Sequence, residues 1–249
     1  MNMTGNTILV TGGGSGIGRA LAEAFHAAGN RVIIAGRRAG PLQEVAAANP
    51  GMATAVLDVG DPAGVPAFAA QAVRDHPALN VLVNNAGIMQ FEDLLADPVD
   101  TAVAEAAVMT NLLGPMRLTS ALLPHLRRQA AATVVNVSSG LAFVPLAAAP
   151  TYNATKAAIH SYTESLRHQL RATPVQVIEL VPPLVATDLR PDTRADPRAM
   201  PLEDFIGEVM ALLRANPGAK EICVERVGLQ RKAEAEGRYQ AVFDRVNPA

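Results

Sequence analysis

The sequence predicts an α/β fold, a doubly wound parallel seven-stranded sheet with helices on both faces. Three observations point there. Short apolar runs at 7–10, 31–35, 53–57, 81–83, 133–137, 175–180 and 221–224 alternate with longer amphipathic or alanine-rich stretches, the rhythm of strand, right-handed crossover helix and parallel strand. The first run opens directly into a glycine-rich turn and then a helical pattern at 19–28. Finally, 249 residues without an internal repeat or a flexible linker fit one domain spanning 1–249, since two would each be left with a small core.

Each element carries its own signal. The turn after the first run reads T-G-G-G-S-G-I-G at 11–18. Its glycines let the backbone bend sharply and let a pyrophosphate approach a helix N-terminus, where free N–H groups and the dipole favour anions. It is not a P-loop, because Arg19-Ala20 stands where Lys-Ser/Thr is needed. The second run ends in Gly36-Arg37-Arg38, and the third in Leu57 and Asp58. Asp61-Pro62 supplies a cap and first-turn pair for a helix over 63–74. The fourth run closes on Asn84-Asn85-Ala86-Gly87.

A long helix is expected over 102–123 with Asn111 in its middle, an intrinsically unfavourable place for asparagine. The fifth run ends in Ser138-Ser139. After a proline-containing loop, Pro150 suits the first turn of a helix on which Tyr152 and Lys156 are i,i+4 neighbours, placing an ammonium beside a phenol. An ordinary phenol titrates near 10, so a working pKa near 7 requires about 4 kcal/mol of preferential phenolate stabilisation. The lysine, the helix dipole and a cationic cofactor can share that task. Past the sixth run come Val181-Pro182-Pro183 and Thr187, then a polar stretch at 188–200 with the composition of a substrate lid. The last run is followed by a charged amphipathic segment at 227–246, read as a terminal helix.

Composition excludes several classes of function. With 21 basic and 23 acidic residues, a net charge of −2 and 18% charged residues, there is no basic field for nucleic acid or an anionic membrane. No apolar run approaches the ~20 residues of a spanning helix and no basic leader precedes the first strand, so a cytoplasmic protein is expected. The single cysteine, Cys223, allows no intrachain disulfide and reads as a core thiol. The histidines at 26, 76, 125, 160 and 168 lack the mutual spacing of a metal site, and no metal is expected.

The glycine turn, N-N-A-G, the lone Asn111, Ser139 and the Y-x-x-x-K pair stand in the order found in the short-chain dehydrogenase/reductase family, which the sequence resembles over roughly residues 7–187. The resemblance implies a Rossmann-type fold and an oxidoreductase that moves a hydride between a nicotinamide cofactor and a carbonyl or alcohol substrate. Ser139 and Tyr152 would hold the substrate oxygen, Tyr152 would transfer the proton, and Lys156 with Asn111 would relay it. Cofactor contacts are implied for Gly12, Gly14, Ser15, Gly16, Ile17 and Gly18, for Asp58 and Val59, for Asn85, Ala86 and Gly87, and for Tyr152 and Lys156. They are also implied for Pro182 and Thr187, although Pro183 replaces the family's glycine and stiffens that loop. NADP(H) is expected over NAD(H), which stays possible: Gly36 stands where an NAD enzyme places a carboxylate, and Arg37 and Arg38 follow. The family also implies a homo-oligomer, dimer or tetramer, built on the helices that carry Asn111 and Tyr152. Met89, Leu141, Phe143, Val144 and Leu184 suggest an apolar substrate pocket. The alternative is a non-catalytic dinucleotide sensor on the same fold, which loss of one of the four catalytic residues would favour; none is lost.

Overall fold

The computed structural model describes residues 1–190 and 193–248. Strands β1 (Thr7–Thr11), β2 (Arg31–Gly36), β3 (Ala53–Val56), β4 (Leu79–Asn84), β5 (Ala132–Val137), β6 (Val175–Val181) and β7 (Glu221–Cys223) form one parallel sheet in the order β3-β2-β1-β4-β5-β6-β7. Every strand falls on an apolar run seen in the sequence. Helices α1 (Gly16–Ala27), α2 (Ala39–Ala48), α3 (Gly64–Asp75), α4 (Ala102–Val108), α5 (Gly114–Leu126), α6 (Pro150–Gln169) and α7 (Leu202–Ala215) cover it, and two short helices follow, α8 (Gly228–Arg231) and α9 (Tyr239–Val246).

Alternation along each strand divides the core into two layers. Ile8 and Val10 face α1, α2 and α7, where Leu21, Phe25, Leu42, Phe205 and Val209 close over them. Leu9, between them, faces the opposite layer of Val65, Leu118, Leu122 and Leu166, on α3, α5 and α6. Burial on both faces is why the inner strands read as continuous apolar runs rather than as alternating ones, whereas the edge strand β3 leaves Thr54 and Val56 exposed.

One layer of the sheet is polar. Asn84, Asn136, Glu179 and Glu221 are register neighbours across β4, β5, β6 and β7. Asn84 Nδ2 donates to Asn136 Oδ1 at 2.8 Å and to Thr119 Oγ1 at 2.9 Å, and Asn136 Nδ2 donates to Thr163 Oγ1 at 2.9 Å. His160 Nδ1 meets Glu179 Oε2 at 2.7 Å, and Arg231 Nε meets Glu221 Oε1 at 2.6 Å. These bonds tie the sheet to α5, α6 and α8 close to the carboxyl ends of β4, β5 and β6.

Two expectations need correction. The helix foreseen over 102–123 is interrupted by a π-helical turn, Met109–Leu113, centred on Asn111. Both polar atoms of the Asn111 side chain are drawn sideways to Ile88, and a regular α-helical ladder yields to that pull. The terminal helix foreseen over 227–246 breaks into α8 and α9 because Gly237 takes φ 64° and Arg238 N–H turns back to the Ala233 carbonyl at 2.8 Å.

Candidate active site

The chain leaves β1 for one half of the sheet and returns at β4 for the other, so the connections that follow these two paired strands diverge and leave a crevice at their carboxyl ends, where ligands bind in open α/β sheets. The glycine turn fills one side of it. Gly12 and Gly16 have φ of 69° and 52°, a backbone conformation that side chains disfavour. A Cβ at Gly18 would lie 2.3 Å from both Asn85 Nδ2 and the Gly12 carbonyl oxygen. Gly18 therefore works by packing: it is buried beneath the turn, while Gly12, Gly14, Ser15, Gly16 and Ile17 line the cavity above. Ser15 is the N-cap of α1, yet its side chain makes no capping bond, so the first-turn N–H groups keep their affinity for an anion.

Thr11 joins this turn to the N-N-A-G run. Its Oγ1 accepts from Asn85 N–H at 3.0 Å and Ala86 N–H at 3.1 Å and donates to the Val83 carbonyl, while Asn85 Nδ2 donates to the Thr11 carbonyl at 3.0 Å. Asn85, Ala86 and Gly87 are thereby held on the wall of one cavity of about 1020 Å³, which also receives Arg37, Arg38, Asp58 and Val59. The Asp58 carboxylate accepts from Gly60 N–H at 2.8 Å, fixing its own turn, and Asp61 caps the following one through Ala63 N–H at 2.9 Å. Despite Pro183, Thr187 comes to rest over the turn, its Cβ 3.5 Å from where a Gly16 Cβ would stand, with Pro182 on the same wall.

At the other end of the cavity stand Ser139, Tyr152 and Lys156, all buried. Ser139, two residues past the end of β5, caps the 3₁₀ turn Gly140–Ala142, its Oγ accepting from Leu141 N–H at 3.1 Å. Pro150 starts α6, and the i,i+4 spacing brings the Lys156 ammonium within 5.6 Å of the centroid of the Tyr152 ring. Lys156 Nζ donates to the Val137 carbonyl at 2.8 Å, which pins the lysine to the tip of β5. Burial raises the Tyr152 phenol to about 12, with a hydrogen bond from Ser139 acting the other way. Burial likewise lowers Lys156 to about 8, opposed by the negative charge of Glu179. At neutral pH the phenol keeps its proton and the lysine is mostly charged.

Asn111 lies behind this group rather than on the cavity wall. Its Oδ1 accepts from Ile88 N–H and its Nδ2 donates to the Ile88 carbonyl, both at 2.8 Å, with Thr155 Oγ1 at 3.3 Å. Both amide atoms are thus engaged. A Cβ at Gly87 would lie 3.4 Å from Asn111 Oδ1 and 3.8 Å from Lys156 Nζ, so the two residues meet around that glycine.

The family described as short chain dehydrogenase matches this chain over residues 6–198. The chain is a short-chain dehydrogenase/reductase. It is similar along its whole length to the uncharacterized oxidoreductase DltE of Bacillus subtilis (strain 168), with 40% identity over 99% of this chain and 98% of that protein. A short-chain dehydrogenase from Streptomyces avermitilis superposes with a TM-score of 0.83 at 26% identity, covering 98% of each chain. Another, from Burkholderia cenocepacia J2315 in complex with NADP, superposes with a TM-score of 0.82 at 25% identity over 99% of each chain. As a member of the family the chain is an NAD(P)-dependent oxidoreductase, and the cradle formed by Gly12, Gly16 and the uncapped start of α1 fits the pyrophosphate of such a cofactor.

The expected substrate pocket is only partly right. Met89, Leu141 and Leu184 line the cavity. Val144 is fully buried against Ala233 and Val242, and Phe143 lies between His160 and Arg231, with ring centroids 4.8 Å apart to the former and the guanidinium at 4.5 Å. Both turn away because the C-terminal segment folds back over the Ser139 loop. The sequence reading missed Thr11 and Glu179, together with the cavity residues Arg226, Leu229, Gln230 and Arg245 that this fold-back supplies. Cys223 is half-buried on the edge strand, and burial followed by the neighbouring Glu221 raises its thiol to about 12. His160, Glu179 and Glu221 present ligand-type atoms within 4.8 Å of one another, but the histidine is bonded to Glu179 and Glu221 to Arg231. Of the 188–200 stretch, Pro191 and Asp192 lie outside the described residues; its base is closed by Ala186 N–H to the Met200 carbonyl and Met200 N–H to the Leu184 carbonyl, at 2.9 and 2.8 Å. Among the described residues no helix is long and apolar enough to cross a membrane.

Proposed function

We propose that this enzyme reduces a carbonyl compound or oxidises the corresponding alcohol, with Tyr152 as the acid/base and NADP(H) as the preferred cofactor. The observation that carries the reading is the shared cavity, with a dinucleotide cradle at one end and Ser139, Tyr152 and Lys156 at the other. When bound, the nicotinamide supplies or accepts the hydride. Ser139 holds the substrate oxygen. Tyr152, protonated at neutral pH, gives its proton to that oxygen during reduction. The Lys156 charge beside the ring stabilises the phenolate that is left, and in oxidation the same charge, with a cationic cofactor, must bring the phenol down from about 12. Asn111, its amide spent on Ile88 and Thr155, acts by holding the wall behind Lys156.

Preference for NADP(H) is supported by Arg37 and Arg38, exposed on the cavity wall past Gly36 and in no ion pair among the described residues. The neighbour from Burkholderia cenocepacia was itself obtained with NADP. We further propose that residues 1–249 act as one catalytic unit, that 188–200 forms a lid whose Arg190 stacks on Phe91 at 4.3 Å, and that the enzyme is a cytoplasmic homo-oligomer paired through the faces of α4, α5 and α6. The test is NADPH oxidation with a panel of aldehydes and ketones, followed by Tyr152→Phe. Turnover is expected to fall by at least ~100-fold with cofactor affinity within a few-fold. Near-normal turnover in that variant would remove Tyr152 from the chemistry, and cofactor binding without turnover on any carbonyl or alcohol would favour a dinucleotide sensor.

A further inference from the structure

The family match ends at residue 198, yet the cavity does not. Its far wall comes from the C-terminal segment, through Arg226, Leu229, Gln230, Arg245 and Val246. This segment is fastened to the loop between Ser139 and Tyr152. Val144 is buried with Ala233 and Val242, the Asn247 side chain accepts from Ala147 N–H at 2.6 Å, and it donates to the Pro145 carbonyl at 3.0 Å. The segment also reaches the reaction centre, since a Cβ placed on Gly140, the residue after Ser139, would lie 2.5 Å from Gln230 Oε1.

The charges on this wall are of one sign. Of the carboxylates lining this end of the cavity, Asp188 is paired with Arg194 and Asp196 with Arg198 at 2.8 Å. Arg226 donates to the Arg198 carbonyl at 3.2 Å, and neither Arg226 nor Arg245 meets a carboxylate among the described residues. The same cavity is lined by the apolar side chains of Leu141, Leu146, Leu229 and Val246.

We propose that the C-terminal segment selects an amphipathic anionic substrate, a carbonyl or alcohol on an apolar chain that ends in a carboxylate or a phosphate monoester. The carbon chain lies along the leucines, and the oxyanion is held by Arg226 and Arg245. A guanidinium binds either oxyanion through two parallel N–H bonds. The proposal rests on the carbonyl/alcohol reading of the site but concerns only what lies at the substrate's other end.

Calorimetric titration of the full chain loaded with NADP⁺ tests it, with octanoate, octyl phosphate and octanamide as probes at about 50 and about 300 mM salt. At least one anion is expected to bind at least ~10-fold more tightly than the amide at low salt, with the gap narrowing at high salt. Tighter binding of octanoate identifies a carboxylate substrate, and tighter binding of octyl phosphate a phosphate monoester. In the Arg226→Ala/Arg245→Ala variant, checked for unchanged melting, the ratio is expected to fall toward one. Equal binding of amide and anions, no binding of either anion at millimolar concentration, or a gap that survives the double substitution overturns the proposal. Turnover separates the two readings. Octanal reduced as well as its ω-carboxy counterpart sinks the anionic substrate and leaves the oxidoreductase standing, whereas selective anion binding without reduction of any carbonyl does the reverse.

Discussion

Replacing Lys156 by methionine should change the pH dependence of stability by an amount the structure specifies. Lys156 is 5% exposed, and burial lowers its pKa from 10.5 to about 8 against the opposing pull of Glu179. The folded state therefore binds the lysine proton less tightly than the unfolded chain does. Between about pH 8 and 10.5 the unfolded chain holds more protons, so the wild-type protein gains stability as pH rises through that window and carries the full penalty below it. At 1.36 kcal/mol per pH unit the whole difference is about 3 kcal/mol, of which about 2 to 3 falls between pH 7 and pH 10. The thioether of the Lys156→Met variant carries no such proton. The substitution does strand the Val137 carbonyl that Lys156 Nζ reaches at 2.8 Å, a cost of about 1 to 3 kcal/mol that pH does not change. The informative quantity is thus the stability of Lys156→Met minus that of wild type, measured by urea unfolding without cofactor at one protein concentration. It should fall by about 2 to 3 kcal/mol from pH 7 to pH 10. The raised groups Tyr152 and Cys223, each near 12, weaken the fold at high pH in both proteins and cancel in the difference. A difference that stays flat, or rises, refutes a desolvated Lys156.

Three further outcomes are expected. Gly18→Ala forces a methyl to within 2.3 Å of the Gly12 carbonyl and Asn85 Nδ2, so it should cost at least ~1–3 kcal/mol and lower cofactor affinity at least ~10-fold; melting and binding unchanged from wild type would discredit the packing role. Steady-state kinetics should give a lower KM for NADPH than for NADH, and Gly36→Asp with Arg37→Ala should invert the order through loss of a contact worth roughly ten- to a hundredfold. Better use of NADH by the wild type would dismiss Arg37 as a phosphate ligand. Light scattering at micromolar concentration should show a multiple of the 26.0 kDa chain, and a monomer would rule out the helix-face pairing.

What could be read in the sequence was whatever local chemistry dictates. Continuous apolar runs marked strands buried on both faces, and Pro150 marked the start of the helix that sets the Tyr152–Lys156 spacing. Asn111 was legible as a misfit in a helix, though only the fold shows that the misfit becomes a π turn clamped on Ile88. Non-local pairings were not legible. Phe143 and Val144 looked like pocket residues because they follow Ser139, and their true partners, Arg231, Ala233 and Val242, lie far down the chain in a segment that no motif announces. Thr11 was hidden differently: a threonine at the end of a strand is ordinary until β1 and β4 are neighbours and its hydroxyl finds Asn85 and Ala86.

The polar layer near the carboxyl ends of the strands shows why some of these hidden residues matter to the chemistry. Burying Asn84, Asn136 and Glu179 in a parallel sheet is costly unless their bonds are met, and most are met by side chains of the helices that carry the site. Thr163 and His160 lie on α6 beyond Lys156, so the contacts to Asn136 and Glu179 fix the rotation of that helix about its axis. With that rotation fixed, Lys156 and Tyr152, one and two turns earlier, face the cavity. The same layer carries the charge that offsets burial at Lys156, because Glu179 is the group that keeps its proton from being lost more readily. An apolar layer of similar volume would pack at least as well, yet it would leave the lysine to desolvation alone and α6 without a polar key. The sheet's least hydrophobic row is in this sense the foundation of the site built on its edge.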